Sequence, residues 1–115
     1  MDRIADKQTH YQNAIEGVLT EYAQYKPAYG DVEVQCHFDR ERGHYQLMHV
    51  GWNGYRRVRG AVMHIDLKGE RIWIQHDGTE EGIAGRFVAM GIPKEDIVLG
   101  FHAPYKRPYT EFAVG

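Results

Sequence analysis

Arg71-Ile72-Trp73-Ile74-Gln75-His76-Asp77-Gly78-Thr79-Glu80-Glu81-Gly82-Ile83-Ala84 decides the fold, because it carries a strand straight into a helix. Ile72 and Ile74 alternate with Trp73 and Gln75 at the strand period of two, and Asp77-Gly78 breaks that strand. Two helix starts compete. Asp77 with Glu80 has the spacing of a capping box, whereas Thr79 as N-cap places Glu80 and Glu81 in the first turn, where the helix dipole favours acids. In either case Ile83, Ala84, Phe87 and Val88 continue the helix.

Upstream, residues 31 to 77 are expected to form a four-stranded antiparallel meander. Val32, Val34, Cys36 and Phe38 alternate with polar residues, Asp39 to Gly43 is a polar loop, and a second strand runs from His44 to Trp52. Asn53-Gly54 is a strong hairpin signal, since both residues tolerate the positive φ of a type I′ turn. That turn sets Trp52 against Tyr55, Val50 against Arg57, Met48 against Arg59, Gln46 against Ala61, Leu47 against Gly60 and Tyr45 against Val62. A second tight turn at Lys68-Gly69 sets Asp66 against Arg71, Ile65 against Ile72, His64 against Trp73 and Met63 against Ile74.

These pairings sort the sheet into two faces. Val32, Val34, Met48, Val50, Ala61, Met63, Ile65, Ile72 and Ile74 make an aliphatic face for the helices. Tyr45, Leu47, His49, Val58, Val62, His64, Trp73 and Gln75 make the other, with Asp66 and Arg71 as a cross-strand ion pair. The second face is only half apolar, yet its Tyr, Leu, Val and Trp cluster exceeds scattered exposure, so the C-terminal tail or another chain is expected to cover it.

Ile4, Tyr11, Ile15, Val18, Leu19, Tyr22 and Tyr25 recur at three-, four- and seven-residue spacings, which predicts an amphipathic N-terminal helix ending before Pro27. Gly17, in its middle, is either a weak spot or a point of close approach. After the second helix Gly91 supplies a C-cap, Pro93 opens a single helical turn over Lys94 to Asp96, and Ile97-Val98-Leu99 forms a short fifth strand. Pro104 and Pro108 among Phe101, Tyr105, Tyr109 and Phe112 argue against a helical tail, and its aromatic content predicts packing against something. The architecture expected is α+β: helix, meander, helix, short strand and aromatic tail.

With 115 residues, 43% hydrophobic and 26% charged, the chain has the profile of one globular domain over residues 1–115. A formal net charge of -2 lacks the basic footprint of a dedicated nucleic-acid binder. Cys36 is the only cysteine, so no internal disulfide can form. No apolar run approaches the ~18 residues of a membrane span, and Met1-Asp2-Arg3 leads into a helical pattern rather than a signal peptide. A cytoplasmic, membrane-free protein is expected.

Seven histidines invite a metal reading. In the register above, however, His49 and His64 share a face but lie roughly 20 Å apart, and His44 and His76 share the opposite face about 12 Å apart. No Cys pair or HExxH spacing compensates. No metal, cofactor or catalytic residue is therefore expected. His76-Asp77 and His64-Ile65-Asp66 lie beside no nucleophile, and the chain contains no serine. Gly78, Gly82 and Gly85 match neither phosphate-binding glycine pattern. Arg56, Arg57 and Arg59 beside Trp52 and Tyr55 form a candidate nucleic-acid patch, in which cations meet phosphates and aromatics stack on bases; a charged outer strand end explains them more simply.

The opening stretch, continued by Gly91-Ile92-Pro93-Lys94-Glu95-Asp96-Ile97-Val98-Leu99-Gly100-Phe101-His102 and preceded by Val50-Gly51-Trp52 and His64-Ile65-Asp66, resembles the XisI family, the fdxN-element excision controlling factors of cyanobacteria. The resemblance spans nearly the whole chain. It implies a non-enzymatic accessory factor in the controlled excision of a DNA element by a separate recombinase, during differentiation of nitrogen-fixing heterocysts. The implied partner is a companion, XisH-like excision controlling protein. The rival expectation is a small nucleic-acid-binding module using the arginine patch. The half-apolar face adds an expected homodimer contact through Tyr45, Leu47, Val62 and Trp73 with Tyr105, Tyr109 and Phe112 of the tail.

Overall fold

A computed structural model describes residues 3–115, with Ile4 described by its backbone alone. The helical lead-in at Met1 and Asp2, and the Ile4 side chain, lie outside the described residues. Helix α1 (Arg3–Tyr22) is followed by β1 (Asp31–Asp39), β2 (His44–Asn53), β3 (Arg56–Lys68) and β4 (Arg71–Asp77). Helix α2 (Ala84–Ala89), a 3-10 turn (Lys94–Asp96), β5 (Ile97–Leu99) and a second 3-10 segment (Pro104–Tyr109) complete the chain. The strands stand in sequence order, β1-β2-β3-β4-β5, antiparallel except that β5 joins β4 in parallel. The α+β architecture expected from the sequence is thus the one observed.

Tyr11, Ala14, Ile15, Val18 and Leu19 turn the apolar stripe of α1 onto the sheet and are buried there. Tyr25 does not join them; the helix stops three residues earlier and leaves this side chain exposed. A Cβ added at Gly17 would meet nothing within 4 Å, so this glycine weakens the helix locally and serves no close approach. Phe87 from α2, with Ile83 and Ile92 beside it, fills the rest of the core.

The start of α2 departs from both expected caps. Asp77 Oδ1 accepts from the Thr79 amide (2.9 Å), and its Oδ2 reaches forward to accept from the Ile83 amide (2.7 Å). Residues 78 to 82 therefore fold as a loop held by one carboxylate, and Ile83 rather than Asp77 or Thr79 occupies the N-cap. At the other end the sequence reading holds. Gly91 takes φ +89°, its amide bonds the Val88 carbonyl, and Ile92 bonds back to Phe87, a Schellman-type closure.

Both hairpin registers differ from expectation by one turn position. Asn53 pairs with Arg56 and Lys68 with Arg71, so the two-residue turns are Gly54-Tyr55 and Gly69-Glu70. Only the glycines have positive φ, +63° and +61°, which is the II′ pattern with glycine first; a type I′ turn would need Tyr55 and Glu70 at positive φ too. Trp52 consequently faces Arg57, Val50 faces Arg59 and Met48 faces Ala61.

Two β-bulges then change which side chains share a face. One lies opposite Leu47/Met48 and leaves Val62 as the extra residue, so Leu47 pairs with Met63 and Tyr45 with Ile65. Tyr45 and Leu47, expected on the outer face, are therefore buried in the core (0% and 2% exposed), while Met48, Val50 and Ala61 stand half-buried on the face away from the helices. His49 and Val58 turn to the helix side with Val34 and Val32. The second bulge, at His64/Ile65, sets Ile65 against Ile74 and His64 against His76. Asp66 faces Trp73, not Arg71, and the expected Asp66–Arg71 pair does not form.

Lys7 (2.9 Å) and the Tyr11 hydroxyl both hold the Asp96 carboxylate, pinning α1 to the turn before β5. Burial alone would raise the Asp96 pKa, but these hydrogen bonds and the charges of Lys7 and Arg71 outweigh it and keep the carboxyl below the ordinary range. A folded-state pKa below the unfolded one stabilises above the unfolded value of about 3.9 and loses that contribution as pH falls through the folded value. Asp96→Asn should thus be less stable than the parent at pH 7, with the gap closing toward pH 2. Denaturant melts at both pH values check this, and a gap independent of pH would contradict it.

Candidate functional site

The outer face of the sheet, away from α1, carries three groups of polar and aromatic side chains. At its β4–β5 end the tail folds back on its own chain. The Ala113 amide bonds the Ile97 carbonyl (2.8 Å), and Ala113 bridges Val98 in parallel. Arg107 lies over the Trp73 ring at 5.2 Å and donates to the His102 and Gly100 carbonyls at 3.1 and 3.4 Å. Lys68 covers the same ring at 4.7 Å, so Trp73 is half-buried between two cations.

The expected association surface therefore divides. Tyr45 and Leu47 belong to the core, and Val62 and Phe112 pack against it. Trp73 is covered within the chain, whereas Tyr105 and Tyr109 project into solvent, 72% and 90% exposed. Sequence reasoning missed Met48 and Val50, which lie half-buried on the outer face in line with exposed Trp52. The Leu47/Met48 bulge explains that omission, since it exchanges the two side-chain sets.

At the hairpin tip Trp52, Arg57 and Arg59 share the outer face, while Asn53 and Arg56 occupy the other. Arg57 stacks on Trp52 at 5.2 Å and also donates to the Gly51 carbonyl at 3.3 Å. Tyr55 at the turn is fully exposed. The five residues of the candidate nucleic-acid patch are thus neighbours in space, but one ring face of Trp52 is already taken by its own arginine.

A third cluster sits where β2, β3 and β4 meet on the outer face. Asp66, only 7% exposed, accepts at Oδ1 from His44 Nδ1 (2.8 Å) and from His64 Nε2 (3.0 Å), and at Oδ2 from Gln75 Nε2 (3.1 Å). Burial by itself would push the Asp66 pKa up, but these donors and the nearby His64 hold it below the usual carboxylate range. The sequence-based register separated His44 from His64 onto opposite faces. The bulge at Leu47/Met48 reunites them by pairing His44 with Asp66 and Gln46 with His64. The alternation of His64 and Asp66 was the signal in the sequence; its partner strand needed the correct register.

Comparison with known proteins gives a consistent result. A family model described as XisI protein matches residues 5–114. A crystal structure of a XisI-like protein from Anabaena variabilis is 46% identical, covers 94% of this chain and 99% of its own, and superposes with a TM-score of 0.88. A second structure, described as the fdxN element excision controlling factor XisI from the same organism, is 34% identical, covers 95% and 99% of the two chains, and gives 0.83. No curated protein matches. Among the described residues no helix is long and apolar enough to cross a membrane.

Proposed function

The chain belongs to the XisI family, and from that membership we propose that it is a non-enzymatic accessory factor in the control of site-specific DNA excision, acting through protein partners while a separate recombinase performs the chemistry. The observation that carries this reading is the 34% identity, over 95% of the chain, to the structure described as an excision controlling factor. The partners are a companion XisH-like protein and a second copy of the chain. The outer sheet face supplies a surface of suitable kind: Trp52, Val50 and Met48 form an apolar line flanked by Arg57 and Arg59, with Tyr105 and Tyr109 exposed beyond the Trp73 end. Aromatic and arginine side chains of this sort dominate interface centres.

Co-expression with the companion protein tests the proposal. The parent should co-purify with it and sediment as a dimer at micromolar concentration, and Trp52→Glu should weaken one or both associations at least tenfold while melting normally. A monomeric parent that captures no companion sinks the protein-association reading. A salt-dependent shift with duplex DNA, lost in Arg57→Ala and Arg59→Ala, would instead favour the nucleic-acid module, for which the Trp52–Tyr55–arginine tip is the motivating feature.

A further inference from the structure

The His44, His64 and Asp66 side chains converge in a way that goes beyond satisfying one buried carboxylate. One donor atom from each lies within 4.8 Å of the other two, and both imidazole nitrogens aim at the same oxygen, Asp66 Oδ1. Gln75 holds the other oxygen, Oδ2, which fixes the plane of the carboxylate and leaves Oδ1 turned toward the histidines. Such support of a ligand by a second hydrogen bond is a regular feature of metal sites. The backbone shows a matching distortion. One bulge, at Leu47/Met48, lies beside this cluster and the other, at His64/Ile65, falls within it, and bulges re-aim side chains near functional sites.

We propose that His44 Nδ1, His64 Nε2 and Asp66 Oδ1 bind a divalent zinc-class ion, with the fourth position open to solvent. Two imidazoles and one carboxylate suit zinc, cobalt or nickel better than magnesium or calcium, which favour all-oxygen shells. Ligand distances of about 2.0 to 2.2 Å from a tetrahedral centre need the three donor atoms roughly 3.3 Å apart. The separations to Asp66 Oδ1 are 2.8 and 3.0 Å and the two imidazole nitrogens lie within 4.8 Å of each other, so rotations of the two imidazoles bring the donors to that spacing. His44 provides the way in. Its side chain is 54% exposed and lines a groove of about 480 Å³ with Cys36, His37, Phe38, Asp39 and Gln46. The site stands independently of which macromolecule the protein associates with.

Untagged, chelator-stripped protein titrated with Co(II) tests the assignment by its visible absorption, with Zn(II) competing it away. One Co(II) per chain should bind with the absorption of a nitrogen- and oxygen-ligated ion. His44→Ala, whose side chain is exposed enough to leave the fold intact, should weaken binding at least tenfold, whereas His37→Ala in the same groove should not. Circular dichroism melts confirm that both variants are folded. No saturable stoichiometric binding in the parent, equal affinity in His44→Ala, or an equal loss in His37→Ala would each overturn the proposal.

Discussion

Ile74→Asp is expected to leave no folded protein at 25 °C. Ile74 is fully buried on the helix side of β4, opposite Ile65 and beside Leu99. Burial of an unpaired carboxylate costs several kcal/mol, and loss of the aliphatic side chain removes about 2 more, against a total stability of roughly 5 to 15 kcal/mol for a domain of this size. The neighbouring core offers no cation, since Ile65, Ile72, Ile97 and Leu99 are all apolar. Circular dichroism and one-dimensional proton NMR report the outcome, and a cooperatively melting variant would contradict the β4 register. Trp73→Asp, one residue along but on the outer face, serves as the contrast, because its carboxylate would lie beside Lys68 and Arg107.

Gly43→Ala should cost about 3 kcal/mol, while the same substitution at Gly54 costs about 1. Both glycines have positive φ, +75° and +63°, so both substitutions incur left-handed strain. They differ in surroundings. A Cβ at Gly43 would stand 2.4 Å from the Leu67 carbonyl oxygen, whereas at Gly54 it would meet nothing within 4 Å. Relief of that clash must part the loop from β3 and break the 2.8 Å bond from the Leu67 amide to the Gly43 carbonyl. Urea midpoints of the two variants decide the matter; equal losses would show that backbone conformation alone governs both sites.

The contrast between these positions also shows what the sequence reveals and what it conceals. Element types were legible wherever period and punctuation agreed: the apolar stripe of α1, the alternation in β1 and β4, the Gly91 cap and the short Ile97–Leu99 strand. The pairing of strands was less so. Asn53-Gly54 announces a tight turn, but whether glycine stands first or second in it depends on backbone twist that two letters do not encode. Bulges are harder still, because an extra residue such as Val62 has no residue-type signature and yet moves Tyr45 and Leu47 into the core. The His44–His64–Asp66 cluster depended on that same count. An error of one residue in register was enough to place its members on opposite sides of the sheet. The family, by contrast, was legible because its motifs are contiguous in sequence and need no register to be seen.

Strand β1 forms one rim of the sheet, pairing only with β2 and presenting nine residues along its free side. Free rims are templates for unwanted growth of a sheet from one molecule into the next. Here the side chains carry a deterrent. In the fully overlapped antiparallel register of two such rims, centred on Gln35, Asp31 of each copy would face Asp39 of the other, so like charges would meet at both ends. At neutral pH this rim therefore discourages fibre-like growth of the sheet from one molecule into the next.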